Sequence, residues 1–348
     1  MTYNWDRKLL RQLYKDPKVR EELSQLYFSL WDIFRTAERA HKSKITTTVG
    51  AYSYFKEYGF IEKYFDMMAQ VDNIGDAIYT PENYISQDYN FELVHDFYKQ
   101  TNPIYFEAFQ KFFNERFTHF KFTKPGPGHF YSGGTYVSHT ANELFIAVND
   151  TKDLDIVDLT AHEYGHAINY YLHPQNSFIR AKSHYEEITS IFMELLCFDF
   201  LDTKPELIND VNYQRKKLFI TLLNDIEKMD FHLTLANNFG YVIEHDDAED
   251  MSFNKLYKKT MNELSLTKKE FNILLQNAAY YISPYVIGTL IAIELYHIYQ
   301  NDPEKAFYLL EQIHQIEAET PEEVDRKINE LGICPTQSID TYTRKLKL

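Results

Sequence analysis

The chain has 348 residues, 44% of them hydrophobic and 25% charged, a composition able to bury a sizeable core. Its formal net charge of −15, with no cluster of Lys and Arg, excludes the basic face that nucleic-acid binding requires. The two cysteines, Cys197 and Cys334, have no paired spacing, which excludes a disulfide framework and fits a reducing compartment.

The first residues, MTYNWDRKLLRQLYKD, are charged and show no apolar run resembling a signal peptide. From residue 5 to about 120 the chain reads as helical, with apolar positions at three and four spacing over Val19 to Phe34 and Phe91 to Phe117. Pro81 marks a turn and Pro103 a helix start. The texture changes at Lys124-Pro-Gly-Pro-Gly128, which is turn chemistry. A hairpin is expected around Gly133-Gly134, and the short apolar run Glu143 to Asn149 reads as a strand. From Asp155 the helical period returns and persists almost to the end. The longest uncharged stretch, Phe271 to Ile293, holds Asn272, Gln276, Asn277, Ser283, Pro284 and Gly288, and is a poor membrane span. It reads as two buried helical pieces broken near Pro284. These features predict a cytoplasmic protein with no membrane partner. The expected fold is mostly α, one domain over 1–348. A helical lobe covers 1–123, a small β-sheet 124–150 and a second helical lobe 151–348.

Chemistry concentrates in Ile156 to Leu172, which contains His162-Glu163-Tyr-Gly-His166. Asp153 and Asp155 supply capping and N-terminal charge, and His173-Pro174 ends the run. On a helix, His162 and His166 project from one face, where two imidazoles can bind one tetrahedral zinc. Glu163 can then reach a water held there. Gly165 costs about 1 kcal/mol relative to alanine inside a helix, which suggests that something packs close to the backbone. Further on, Ser183 to Glu186 reads as a capping box that opens a helix carrying Glu187 and Glu194 on one face. Two carboxylates on an apolar helix need partners. Either a metal with a histidine behind it, or lysines and arginines of a neighbouring helix, would serve.

The stretch from Glu143 to Glu194 resembles the zinc oligopeptidases of the oligoendopeptidase F and thimet oligopeptidase type. The likeness rests on the strand Leu144 to Asn149, the acidic link Asp153 to Asp155, His162 to His166, and Glu187-Ile-Thr-Ser190 with Glu194. It implies a two-lobed helical metallopeptidase domain that hydrolyses oligopeptides. Zinc would be held by His162, His166 and Glu187, with Glu163 as general base and Glu194 behind the ligands. Weaker likeness runs over Tyr89 to Phe117, Phe231 to Tyr257 and Tyr280 to Gly288.

Three departures accompany it. Members of the family are longer, with an N-terminal region that roofs a channel. Asn169 stands where the family often has another histidine. The late aromatic motif, Gln276 to Gly288, has tyrosines but no histidine, so Tyr281 or Tyr285 is the candidate donor to the oxyanion. An extended peptide is expected to pair along a free edge of the strand at Glu143 to Val148. The alternative reading is a catalytically silent zinc protein that binds peptides or a partner. A helical scaffold with a chance motif is the third. His129 and His139 could touch substrate, and Glu244 to Asp250 reads as a solvated loop rather than a calcium loop.

Overall fold

The structure, a computed structural model, describes residues 3–23, 81–124, 133–174, 186–244, 253–275, 279–318 and 321–333. At the N-terminus, α1 (Arg7–Leu13) and α2 (Pro17–Glu22) are each capped by an aspartate, Asp6 and Asp16. Next come α3 (Gln87–Gln100), α4 (Pro103–Asn114) and the single turn α5 (Arg116–His119). Ser86 caps α3, and α4 opens with Pro103 at its first position behind the Asn102 cap. The helical spacing over Phe91 to Phe117 falls on three helices, and the start expected at Pro103 is where the second begins. The helix expected over Val19 to Phe34 is seen only as far as Glu22; its remainder lies outside the described residues.

The sheet follows, with β1 (Phe120–Thr123), β2 (Gly133–Ser138) and β3 (Glu143–Asn149) in the order β1-β3-β2. β1 runs parallel to β3, and β2 antiparallel to it. Two sequence expectations change here. Gly133 and Gly134 lie within β2, paired with Val148 and Ala147, and the hairpin turn falls at His139 to Asn142 instead. There Asn142 takes φ 54°, a left-handed conformation that asparagine tolerates. β3 is the central strand, so neither of its edges is free; among the described residues the outer edges of the sheet belong to β1 and β2. Lys124 is the last described residue before the Pro-Gly segment, whose Pro125 to Gly128, together with His129, lies outside the described residues.

Alternation along β3 sorts the sheet's two faces. Leu144, Ile146 and Val148 join the main core, while Phe145 and Ala147 pack with Trp5, Val19 and Leu23 of the N-terminal segment. Hydrogen bonds also pin that segment. The Trp5 indole donates to Ile146 O at 3.0 Å, and the Glu22 carboxylate accepts from Ser138 Oγ at 2.6 Å and Thr140 Oγ1 at 2.7 Å.

Beyond the sheet lie α6 (Asp155–Leu172), α7 (Ile188–Leu201) and the long α8 (Ile208–Glu244). They are followed by α9 (Phe253–Glu263), α10 (Lys268–Leu274), α11 (Ala279–Tyr299), α12 (Pro303–His314) and α13 (Pro321–Glu330). α7 is apolar all round and buried almost throughout, as a helix must be when it sits at the centre of others. It packs against α6 on one side and α11 on the other. Cys197 is buried in it, as an isolated apolar thiol should be; Cys334 lies outside the described residues. The helical break expected near Pro284 is not seen there: α10 ends at Leu274, and α11, which begins at Ala279, continues through Pro284. Among the described residues no helix is long and apolar enough to cross a membrane. The fold is mostly α with one small sheet before the central helix, as the sequence predicts.

Candidate metal centre

α6 carries the motif through the centre of the molecule. Asp153 Oδ1 accepts from Asp155 N at 3.1 Å just before the helix, while Leu154 occupies the cap position itself. His162 and His166, one turn apart, bring their Nε2 atoms to 3.1 Å from each other. Glu187 Oε2 lies 3.2 Å from each of these nitrogens. For tetrahedral zinc with bonds of about 2.0–2.1 Å, neighbouring donor atoms stand about 3.3–3.4 Å apart. The near-equilateral triangle therefore has the size and the nitrogen and oxygen chemistry that such an ion needs. Among the described residues, this is the group of three His, Cys, Asp or Glu side chains whose donor atoms all lie within 4.8 Å of one another.

Glu187 reaches the triangle from the start of α7. Glu186 and Glu187 form a turn, and helical structure begins at Ile188. Ser183 to Tyr185 of the expected capping box lie outside the described residues. Glu187 thereby occupies the N-cap position, where the positive end of the helix dipole favours a carboxylate. Ser190 Oγ, one turn ahead, lies 2.9 Å from Glu187 O and 3.2 Å from its Oε2, and can donate to either.

Two glycines let the helices come this close. A Cβ on Gly165 would stand 2.7 Å from Ser190 Cα, so α6 and α7 meet backbone to backbone, as the misplaced glycine suggests from sequence. A Cβ on Gly288 would stand 2.7 Å from Glu187 Cβ, so α11 closes over the carboxylate from the other side.

Behind the triangle, Glu194 Oε1 makes a short contact with His162 Nδ1. A carboxylate there favours the proton on Nδ1 and turns the Nε2 lone pair toward Glu187 and His166. The partners of the two buried carboxylates are therefore histidines. Among the described residues no ion pair joins Glu187 or Glu194 to a lysine or arginine.

Glu163 projects against β2 and is 5% exposed. Thr135 Oγ1 donates to its Oε2 at 2.7 Å and lies 3.0 Å from its backbone oxygen. A Cβ on Gly133 would stand 2.5 Å from its Oε1. Sequence reading missed both residues because it placed the Gly-Gly pair in a turn; strand alternation would have put Gly133 and Thr135 on one face.

The charges follow from this crowding. Burial raises the Glu163 carboxyl above the usual range, although His162, His166 and Thr135 pull it back in part. Burial would also raise Glu187, but His166 and His162 outweigh it and hold that carboxyl well below the usual range. Burial opposes protonation of His162 and His166; Glu194 and Glu187 for the first, and Glu187 for the second, more than offset it and raise both. A buried cluster this rich in carboxylates calls for positive charge, whether protons or a cation.

Tyr285 lies on α11 one turn before Gly288 and is 42% exposed. The charge of Glu187, then burial, then Glu163 raise its phenol well above the ordinary tyrosine value. The side chain of Tyr281 falls outside the described residues. Tyr170, one turn beyond His166, also lies in the field of Glu186, Glu187 and Glu163, after burial the main influences on its raised pKa. Its ring meets that of His139 edge-on at 6.0 Å.

No family model matches the chain, and no curated protein matches its sequence. Solved structures do share its fold. A protein assigned as an oligoendopeptidase F superposes with a TM-score of 0.55 at 13% identity, over 97% of this chain and 69% of its own. One from Chlamydophila abortus assigned as a peptidase gives 0.54 at 16% identity, over 87% of this chain and 54% of its own. PZ peptidase A, solved with an inhibitor, gives 0.55 at 14% identity, over 86% and 57%. The chain thus spans little more than half the length of the last two, and what it has in common with all three is the fold.

Proposed function

We propose that this chain is a zinc-dependent peptidase acting on oligopeptides. The observation that carries the reading is the convergence of His162, His166 and Glu187 in one donor triangle, with Glu163 buried beside it. The fold it has in common with proteins named as peptidases points the same way.

A zinc ion held by His162, His166 and Glu187 would supply a Lewis acid that polarises the scissile carbonyl and lowers the pKa of water toward about 7. Glu163 takes the proton from the attacking water and passes it to the departing amine nitrogen. Its raised pKa suits a group that must both accept and return a proton. The Tyr285 hydroxyl, protonated as a phenol is at neutral pH, donates to the oxyanion that develops on the scissile carbonyl; Tyr281 is the second candidate for that role. Glu194 holds His162 in the tautomer that keeps Nε2 free. The extended substrate pairs along the outer edge of β2, whose other edge is taken by β3.

Replacing Glu163 with Gln tests the assignment. The variant keeps its metal and loses peptide cleavage by about a hundredfold or more. A Glu163→Gln protein that still turns over at the parent rate would remove Glu163 from the chemistry.

A further inference from the structure

β2 presents Gly133 and Thr135 on the same face, two residues apart, and both meet the buried Glu163 of α6. Thr135 Oγ1 is 2.7 Å from Glu163 Oε2. The same hydroxyl is 3.0 Å from the Glu163 backbone oxygen. A hydroxyl has one proton, and the nearer, charged oxygen is the stronger acceptor for it. At the other oxygen, the virtual Cβ of Gly133 falls 2.5 Å from Oε1, so any side chain at 133 would displace the carboxylate. One oxygen is held by a donor, and the other fits only because its neighbour has no side chain.

We propose that Thr135, with Gly133 as the gap beside it, is the positioning residue for Glu163, fixing the carboxylate so that Oε1 is the oxygen that takes the proton from water. The proposal rests on the peptidase reading above and adds to it a cause for the placement of the base. A glutamate side chain on a helix has three rotatable bonds, and burial alone does not select among its rotamers. The hydroxyl does, through a short charge-assisted bond to an element that cannot move freely, since β2 is paired along its length to β3. The strand whose outer edge would take the substrate is also the strand that anchors the base. Base and substrate are then referenced to one rigid segment, the condition under which small displacements are costly.

The test compares Thr135→Val, which keeps the shape and removes the donor, with Thr135→Ser, which keeps the donor. Zinc content, thermal unfolding, kcat and KM on a quenched fluorescent peptide chosen from those the parent cleaves, and a crystal structure of each zinc-loaded protein are measured. Thr135→Val is expected to lower kcat by about tenfold to a hundredfold with KM and zinc content unchanged. In its crystal structure the Glu163 carboxylate leaves its place on β2. Thr135→Ser is expected to restore both kcat and the carboxylate position. A Val variant that keeps kcat, or whose loss tracks zinc content or unfolding and is not restored by Ser, overturns the proposal. So does a Glu163 that stays in place in the Val crystal. If the parent cleaves no peptide, the peptidase reading fails by itself, and the crystal structures still decide whether Thr135 places Glu163.

Discussion

His162 and His166 are held more firmly protonated than free imidazoles by the carboxylates around them, and this sets how the site responds to acid. A metal binds only the neutral ring, so protons compete with it. Because both pKa values lie above the ordinary histidine value of about 6.5, the competition begins at higher pH than for an isolated imidazole. Bound zinc measured after equilibration across pH 8 to 5 should therefore fall as pH falls through this range; a flat profile would show that these rings do not bind it. Under the proposed role of Glu194 in setting the His162 tautomer, Glu194→Gln should weaken zinc binding by about tenfold to a hundredfold, read by competition with a chelator of known affinity. Of these contacts, the histidine pair is legible in the sequence because i and i+4 share a helix face whatever the fold does. Thr135 is not legible, because its bond to Glu163 joins residues 28 apart that only the packing of β2 on α6 brings together.

Close approach of helices makes the triangle possible, and glycines mark where it happens. On an isolated helix, Gly165→Ala would stabilise by about 1 kcal/mol. Here the new methyl meets the Ser190 backbone, which cannot swing aside as a side-chain tip can, and the overpacking costs about 1–3 kcal/mol. Denaturant unfolding of Gly165→Ala should show net destabilisation together with weaker zinc binding, since Ser190 and Glu187 move as one. An unchanged midpoint would mean that α6 and α7 are not packed this tightly. The misfit of a glycine inside a helical pattern announced this contact. The start of α7 was less legible, because a plausible capping box lies just upstream of the residue where helical structure begins. β3 could be read as a strand from its apolar run, yet its central place in the sheet could not, since β1 and β2 pair with it across intervening residues. Hydrophobic alternation names a strand and is silent about its neighbours.

Across the whole molecule, the donors come from two helices, with Glu187 lying beyond the end of α6 that carries both histidines. Only the folded chain brings them together, so an ion bound there stabilises the fold by mass action. At a free zinc concentration a hundredfold above Kd this amounts to about 2.7 kcal/mol. Chelation should lower the unfolding temperature, and titrating zinc back should restore it in proportion to occupancy; His166→Ala should show no such response. The fold class was legible because helical periodicity runs through most of the chain, and a mostly α architecture follows from it. Which helices cross at the centre was not, since the apolar residues of α7 and α11 are not confined to one stripe that would point to a neighbouring helix.

Cleavage of a mixed peptide library by one preparation, loaded with zinc, then stripped with a chelator, then reloaded, puts the peptidase reading to the sharpest test. Mass spectrometry should find new peptide termini after loading, none after stripping, and the same termini again after reloading. Peptides left intact by protein shown to carry one zinc at His162, His166 and Glu187, or cut equally well after the metal is gone, would contradict it.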